Sequence, residues 1–480
     1  MVYLSYSGRI INLLPYDSFH FMRIIHTSDW HLGQYFYGKS RANEHQQFLN
    51  WLLTQVETHH IDAIIVAGDI FDTATPPSYA RQMYFNFISE LQTFNCQLVI
   101  LAGNHDSVSM LAESKALLSA LSTHVIANVS DISIANNLAE QVFTLKNKQG
   151  QPQAVICAIP FIRPRDVIKS QAGQSATDKS KSLQQAIDSH YQHLFERAKQ
   201  VVEECDVNLP IIATGHLTAL GVTTSDSVRD IYIGTLEAFP SNAFPAADYI
   251  ALGHIHRAQK VGKTEHIRYS GSPIALSFDE AKQNKRVLMV DFEQNKLSTI
   301  TDLMVPCFQP LAMIKTSVED LIQTIEKLVP DLVKDNNDMK LWLDIELSNT
   351  GLLSDLQPKI TALVKDFPVE VLLVRREKQV RKRLQLENQQ NQSTLNELTL
   401  EEVFASRLNQ EAWLSDDDSD KEDDNNSGNP LSELALQRKA QLQTLFKQTV
   451  AQMLEDDKDN NENVENETSA QQDLLKERES

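Results

Sequence analysis

Residues 23–31 read RIIHTSDWH, a short β-favouring run that ends on an aspartate and a histidine. Similar runs occur at residues 63–72 (AIIVAGDIFD), 97–106 (QLVILAGNHD), 211–216 (IIATGH) and 249–256 (YIALGHIH). An apolar run that stops at glycine or a polar residue is typical of a buried strand followed by a loop. Carboxyl ends of strands in α/β sheets meet in one crevice, so we expect these five polar segments to lie close together.

Helical patterns separate several of these strands. Apolar residues at Phe48, Leu49, Leu52, Leu53 and Val56 have the spacing of one helix face. Alternation of strands and helices predicts an α/β fold or a four-layer α-β-β-α fold, which we place at residues 22–304. Three further β-rich runs with helical patterns between them predict a small α/β domain of βαβαβ order at residues 305–386.

The two ends of the chain are predicted to lie outside these domains. Residues 1–21 show no clear pattern, so we expect a disordered extension there. Residues 397–455 contain two helical patterns, the first opened by a capping box at Thr399–Glu402, with an acidic spacer at 415–429. Their apolar faces predict docking on a partner, although folding back on the small domain is the alternative. Residues 456–480 are too polar to fold alone.

The composition is that of an ordinary folded chain, with 480 residues, 42% of them hydrophobic and 22% charged. The net charge of −20 is concentrated in the last 80 residues, which carry 8 basic and 21 acidic side chains. No run approaches the roughly 18 apolar residues of a membrane helix. The four cysteines are far apart and lack the spacing of a zinc or dithiol site. We therefore expect a cytoplasmic protein with reduced cysteines and no membrane segment.

The polar residues at the strand ends are those that bind divalent cations. Neutral imidazoles with carboxylate and amide oxygens suit borderline ions such as manganese, iron or zinc. A spacing of two places Asp29 and His31 on the same side of an extended chain, and each glycine permits an unusual backbone angle. Each motif alone is more often a turn or a buried histidine. All five together predict a two-metal site, which Asp69 is suited to bridge.

The motif order DxH, GDxxD, GNHD, GH and GHxH resembles that of the calcineurin-like metallophosphoesterases. Flanking segments, among them residues 226–239 and 251–257, resemble the bacterial SbcD-type nucleases of that family, and the likeness extends from Met22 to about residue 455. The resemblance implies one metal held by Asp29, His31, Asp69 and His256, and a second held by Asp69, Asn104, His216 and His254. It also implies that His105 is the catalytic proton donor, that Asp106 orients its ring, and that Asp72 gives outer support.

The same resemblance implies an activity and a set of partners. The expected enzyme is a metal-dependent DNA nuclease, with 3′→5′ exonuclease and hairpin endonuclease activity, that acts in DNA recombination, replication and repair. Its expected cofactors are two divalent ions, Mn²⁺ first and Mg²⁺ as an alternative. DNA, an SbcC-type ATPase in a heterotetramer, and a second copy of the nuclease domain are the implied partners. A phosphoprotein phosphatase, a cyclic-nucleotide phosphodiesterase and a metal-free scaffold are the alternatives.

Two other features admit competing interpretations. Residues 33–40, GQYFYGKS, match the P-loop pattern and would indicate an ATPase. A P-loop wraps phosphate with backbone N–H groups directly after its strand, whereas Tyr35, Phe36 and Tyr37 occupy this loop. A basic cluster follows the last predicted strand and would contact DNA phosphates or form a solvated loop. Its members are Arg375, Arg376, Lys378, Arg381, Lys382 and Arg383.

Overall fold

Strands and helices alternate along most of the chain, as the sequence predicts. The computed structural model describes residues 21–129, 135–168, 175–205, 207–228, 238–332, 339–348, 356–376 and 442. Its strands are β1 Phe21–Thr27, β2 Tyr35–Phe36, β3 Lys39–Ser40, β4 Ala63–Ala67, β5 Gln97–Leu101, β6 Thr123–Ile126, β7 Val142–Lys146, β8 Pro152–Cys157, β9 Ile211–His216, β10 Tyr249–Gly253, β11 Gln259–Lys260, β12 Ile267–Tyr269, β13 Arg286–Glu293, β14 Lys296–Met304, β15 Leu311–Thr316, β16 Leu341–Leu347 and β17 Val369–Arg376. Its α-helices are α1 Ala42–His59, α2 Ser78–Leu91, α3 Val108–Glu113, α4 Lys115–Ser119, α5 Ala135–Gln141, α6 Pro164–Val167, α7 Ala176–Glu204, α8 Leu321–Leu332 and α9 Leu356–Leu363.

Two six-stranded sheets contain the strands that lead to the polar segments. The first has the strand order β14-β13-β1-β4-β5-β6, and the second has the order β11-β12-β10-β9-β8-β7. Strands β1, β4 and β5 run parallel in the first sheet, as β9 and β10 do in the second. Parallel neighbours end at the same edge, so each sheet presents its polar segments on one side.

Three layers of apolar packing confirm the predicted α-β-β-α arrangement. Because side chains alternate along a strand, Ile24 and Ile65 face the second sheet, whereas Ile25 and Ile64 face the helices. Helices α1 and α2 pack on the outer face of the first sheet, and α7 packs on the outer face of the second. Strands β4, β9 and β10 are therefore buried on both faces.

The predicted βαβαβ order of the small domain is confirmed. Strands β15, β16 and β17 form a parallel sheet in that order, and α8 and α9 pack on it. The side chain of Arg41 joins this sheet to the larger body. Its guanidinium pairs with Glu44, donates to the carbonyl of Ala275 at 2.7 Å, and lies 5.9 Å from the ring of Trp342 in β16. Arg41 is buried, so this contact holds the small domain against the start of α1.

The chain divides into two units, 1–377 and 378–480, and all the strands and helices above belong to the first. The expectations for the extension before Phe21, for 397–455 with its acidic spacer, and for 456–480 concern residues that, apart from Leu442, lie outside the described structure. Strand β1 begins at Phe21, the last residue assigned to the extension. Among the described residues, no helix has the length and apolar character needed to cross a membrane.

Candidate metal centre

Hydrogen bonds connect the loops that follow β1, β4, β5, β9 and β10. The backbone N–H of Asp29 donates to the carbonyl of Gly68 at 3.0 Å. The N–H of His105 donates to Asp69 Oδ1 at 2.9 Å, and that of His254 donates to Asp29 Oδ1 at 2.9 Å. His216, the last residue of β9, places Nδ1 2.9 Å from the carbonyl oxygen of Ala67. The five polar segments therefore meet in one place, as the strand ends predict.

Six buried side chains form two groups with the spacing of metal ligands. The first cluster is Asp29, His31 and His256, and the second cluster is Asp69, His216 and His254. Within each cluster one ligand atom from every residue lies within 4.8 Å of the others.

Asn104 completes the set of seven expected ligands, and Asp69 is the member shared by the two clusters. Asp69 Oδ2 lies 3.2 Å from His216 Nε2 and 3.6 Å from His31 Nε2, so it stands between the two clusters. Asn104 Oδ1 lies 2.9 Å from His216 Nε2 and 3.1 Å from His254 Nδ1. The structure thus brings together every residue that the resemblance names as a ligand.

The backbone places these ligands differently from the way their spacing suggests. Asp29, His31, Asp69 and His254 have φ values of 54°, 48°, 51° and 91°, which side-chain-bearing residues seldom adopt. The expectation of an extended chain at Asp29 and His31 is therefore wrong, because β1 ends at Thr27, although both side chains do belong to the first cluster. Left-handed residues of this kind concentrate at functional sites, where the surrounding structure holds the strain.

The glycines of the motifs serve two purposes. Gly68 has a φ of 94°, as expected for a turn after a strand. Gly103, Gly215 and Gly253 have no positive φ, so the expectation of an unusual angle at every glycine is wrong. A Cβ on Gly103 would lie 2.1 Å from Asp69 Oδ1, so this glycine is required by close approach rather than by conformation.

Asp69 and His216 are electrostatically coupled, and each stabilises the charged form of the other. Burial lowers the pKa of His216, but the Asp69 carboxylate outweighs burial and raises that pKa to about 9. Burial also raises the pKa of Asp69, and His216 and His31 together hold it well below its usual value. Burial and the neighbouring His216 keep the pKa of His254 well below its usual value. Asp69 is therefore an ionised carboxylate in a buried site.

The donor atoms fit two divalent cations. The Nε2 atoms of His31 and His254 are buried and have no hydrogen-bond partner among the described atoms. Buried polar nitrogens are rarely left unsatisfied in a folded protein, so each such atom calls for an explanation. Imidazole nitrogens beside the carboxylates of Asp29 and Asp69 form the mixed set that borderline divalent ions prefer.

His105 lies beside the clusters, and its ring contacts Asp72 and His31. Its Nδ1 lies 2.7 Å from the carbonyl oxygen of Asp72, and its ring centroid lies 4.7 Å from that of His31. The carboxylate of Asp106 accepts backbone N–H groups from Gly103 at 2.8 Å and from residues 70 and 71. Asp106 thus fixes the loop that carries His105, and its predicted role in orienting the ring stays a prediction.

Sequence reasoning missed the side chains behind His256. Ser227 Oγ lies 2.5 Å from His256 Nδ1, and Glu280 and Lys285 lie behind that serine. Ser227 falls in the segment that carried the resemblance, but no motif marked it. Glu280 is separated from both residues in the chain, and no spacing rule connects them.

The two features with competing interpretations are partly resolved. Residues 35–40 form the β2–β3 hairpin, in which Phe36 is buried and stacks on Trp342, an arrangement unlike a phosphate-binding loop. The ATPase interpretation therefore finds no support in this segment. Arg375 donates to the buried carboxylate of Asp344 through Nε at 3.0 Å. Arg376 ends β17, and the rest of the basic cluster, Lys378, Arg381, Lys382 and Arg383, lies outside the described residues.

Comparison with known proteins gives matches over both parts of the chain. Residues 22–258 match the calcineurin-like phosphoesterase family, and residues 307–412 match the type 5 capsule protein repressor C-terminal domain. The SbcD subunit of the nuclease SbcCD from Escherichia coli K12 is 51% identical over 387 residues, which cover 81% of this chain and 92% of that protein. The protein of the same name from Bacillus subtilis 168 is 32% identical, over 69% of this chain and 81% of that protein. Among solved structures, a dimetal phosphatase from Danio rerio is 10% identical with a TM-score of 0.32, over 59% of this chain and 98% of that one, which is too distant to add weight.

Proposed function

Because this chain belongs to the SbcD family of nuclease subunits, within the calcineurin-like phosphoesterases, we propose that it is a metal-dependent nuclease that hydrolyses DNA phosphodiester bonds. The observation that carries the proposal is the pair of buried clusters with Asp69 between them. The family role includes 3′→5′ exonuclease and hairpin endonuclease activity in DNA recombination, replication and repair, and we extend it to this chain.

The clusters are assigned to two cations. Asp29, His31, Asp69 and His256 would hold one, and Asp69, Asn104, His216 and His254 would hold the other. We propose Mn²⁺ as the resident ion and Mg²⁺ as the alternative, since an Asp, His and Asn set suits borderline ions. When bound, two such cations activate water for attack on phosphorus and neutralise the charge that develops on the phosphate.

The chain's own residues supply orientation and a proton. Asp69 Oδ1 accepts the backbone N–H of His105 and so fixes that residue beside both clusters. The Asp72 carbonyl accepts a hydrogen bond from His105 Nδ1. We therefore assign the transferable proton to Nε2, from which the protonated ring would donate it to the departing sugar oxygen. Asp106 contributes by holding the loop that carries His105.

Partners are proposed from the family. We propose DNA as the substrate, an SbcC-type ATPase in a heterotetramer, and pairing of two nuclease domains. Arg376, Lys378, Arg381, Lys382 and Arg383 are retained as phosphate contacts, whereas Arg375 already has Asp344 as a partner. Cys96 and Cys157 are free and buried, which supports a reducing compartment, and we propose the cytoplasm.

The test uses the full chain after chelation of metal. Adding Mn²⁺ is expected to start cleavage of a labelled DNA hairpin, while the same protein leaves a phosphoprotein and a cyclic nucleotide intact. Cleavage of those two substrates with none of DNA would favour the phosphatase or cyclic-nucleotide alternative. Cleavage of none, with Mn²⁺ bound, would favour the scaffold.

A further inference from the structure

A buried hydrogen-bonded chain runs outward from His256. Its Nδ1 lies 2.5 Å from Ser227 Oγ, and the hydroxyl of Ser227 donates to Glu280 Oε1 at 2.5 Å. Glu280 Oε1 itself lies 3.5 Å from His256 Nδ1. Glu280 is fully buried, with none of its surface exposed to solvent. The serine hydroxyl therefore stands between an imidazole and a buried carboxylate.

The hydrogen-bond partners of Glu280 define its role as an acceptor. Ser225 Oγ donates to Oε1 at 2.6 Å, and Lys285 Nζ donates to Oε2 at 2.6 Å. The backbone N–H of Leu276 also donates to Oε2, at 3.0 Å. The ion pair with Lys285 offsets the cost of burying the charge. Both oxygens of Glu280 are thus occupied by donors.

Counting hydrogens then fixes the tautomer of His256. A serine hydroxyl has one hydrogen, and Ser227 gives it to Glu280. Towards His256 its oxygen can act only as an acceptor. His256 Nδ1 must therefore carry a hydrogen, which leaves the lone pair of the neutral ring on Nε2.

We propose that Glu280, acting through Ser227, is a positioning residue that fixes His256 with Nε2 available to a divalent cation in the first cluster. The proposal rests on the proposed function only for the presence of the cation. Partners behind a metal-binding histidine set its ring orientation and basicity, and their loss costs roughly 10- to 100-fold in metal affinity. Lys285 supports the same arrangement, because it keeps Glu280 in place as an acceptor.

The decisive variant is Glu280→Gln in the full chain. It keeps the shape of the side chain but replaces one carboxylate oxygen with an amide NH₂ group. In the wild type both Ser227 and Lys285 donate to Glu280, so in the variant one of them would face a second donor. We expect calorimetric titration with Mn²⁺ alone to show one of two sites weakened about 10- to 100-fold, with the other unchanged. Glu265→Gln is the matched control, since Glu265 is an exposed partner of Lys260 and Arg268, and both its sites should bind as in the wild type.

A second variant covers the case in which Glu280→Gln fails to fold. Ser227→Ala leaves the Glu280–Lys285 pair intact, removes the bridge, and is expected to weaken the same single site. Circular dichroism of each metal-free variant reports its fold. Wild-type affinity at both sites in folded Glu280→Gln, or in Ser227→Ala, would overturn the proposal.

Measurements of Mn²⁺ binding and DNA cleavage on the wild-type protein distinguish a failure of this proposal from a failure of the proposed function. Two bound Mn²⁺ without DNA cleavage would refute the nuclease assignment, and the effect of Glu280→Gln on binding would still support the positioning role. Absence of any Mn²⁺ binding by the wild type would overturn both.

Discussion

The two clusters differ in what holds their histidines. In the first cluster, His31 Nδ1 lies 3.2 Å from the Asp72 carboxylate, and His256 Nδ1 is bonded to Ser227 in front of Glu280. In the second cluster, His216 Nδ1 is bonded to the backbone carbonyl of Ala67 at 2.9 Å. The first cluster is therefore anchored by carboxylate side chains, and the second by a backbone carbonyl.

This difference determines which cluster a substitution can alter. A carboxylate behind an imidazole can be replaced without changing the main chain, so the affinity of the first cluster is open to adjustment. The carbonyl of Ala67 belongs to β4, in the centre of the first sheet, and changes only if the sheet changes. We expect the metal affinity of the first cluster to depend on the side chains behind its histidines, and that of the second cluster to be fixed by the fold.

Asp69→Asn should impair both clusters together and so remove the difference between them, because Asp69 lies between the two clusters. Loss of the shared carboxylate is expected to reduce Mn²⁺-dependent DNA cleavage by more than ~10⁴-fold, since water activation depends on the cations. Single-turnover cleavage of a labelled hairpin measures this effect. Asp302→Asn, at a partly exposed partner of Arg286, is the control. Cleavage within tenfold of the wild type would contradict a shared role for Asp69.

His105→Asn should separate chemistry from metal binding. Removing a general acid is expected to slow cleavage by about 10²- to 10³-fold, while both clusters retain wild-type Mn²⁺ affinity. Parallel cleavage and calorimetric measurements test this, with His193→Asn on the exposed face of α7 as the control. Loss of a bound Mn²⁺ in His105→Asn would show that His105 is a ligand instead.

Asp72→Asn should sharpen the difference between the clusters. The substituted amide supports the ring of His31 less well than the carboxylate, so the affinity of the first cluster is expected to fall about 10-fold or somewhat more. The second cluster provides the control within the same titration, because the ligand that Asp72 contacts is His31, in the first cluster. Equal weakening of both sites would argue against independent anchoring.

The smallest predicted effect is that of acid on the Mn²⁺ affinity of the second cluster. Burial lowers the pKa of His216 and Asp69 raises it, giving a value of about 9, so the metal-free ring holds a proton at neutral pH. A cation binds only the deprotonated nitrogen, and its affinity should therefore rise up to about tenfold between pH 7 and pH 8. Titrations in buffers of different ionisation enthalpy should show proton release on binding. A pH-independent affinity with no proton release would contradict the Asp69–His216 pairing.

Sequence patterns predicted the features that depend on local chemistry. Strands β4 and β5 lie within the predicted runs at residues 63–72 and 97–106, because each is a mostly apolar run that ends shortly before a glycine. The seven ligands that the resemblance implies lie together because each belongs to a segment at the end of a strand, and parallel strands bring their ends together.

The remaining features depend on contacts between distant segments. Gly103 is required because Asp69 approaches it across the sheet edge, and no local signal shows that approach. The Ser227–Glu280 pair is formed by a loop and a short 3₁₀ helix, and the whole fold decides that they meet. The P-loop match at residues 33–40 was misleading because the residue types of the pattern are present, but the backbone there forms a β-hairpin instead of a phosphate-binding loop.

The presence of two cations is tested most directly by diffraction from crystals of the full chain grown with Mn²⁺, with data collected at the manganese absorption edge. We expect two anomalous peaks about 3.5–4 Å apart, one in each cluster, with Asp69 in contact with both. A single peak, or peaks that Asp69 does not contact, would contradict a two-cation site bridged by that carboxylate.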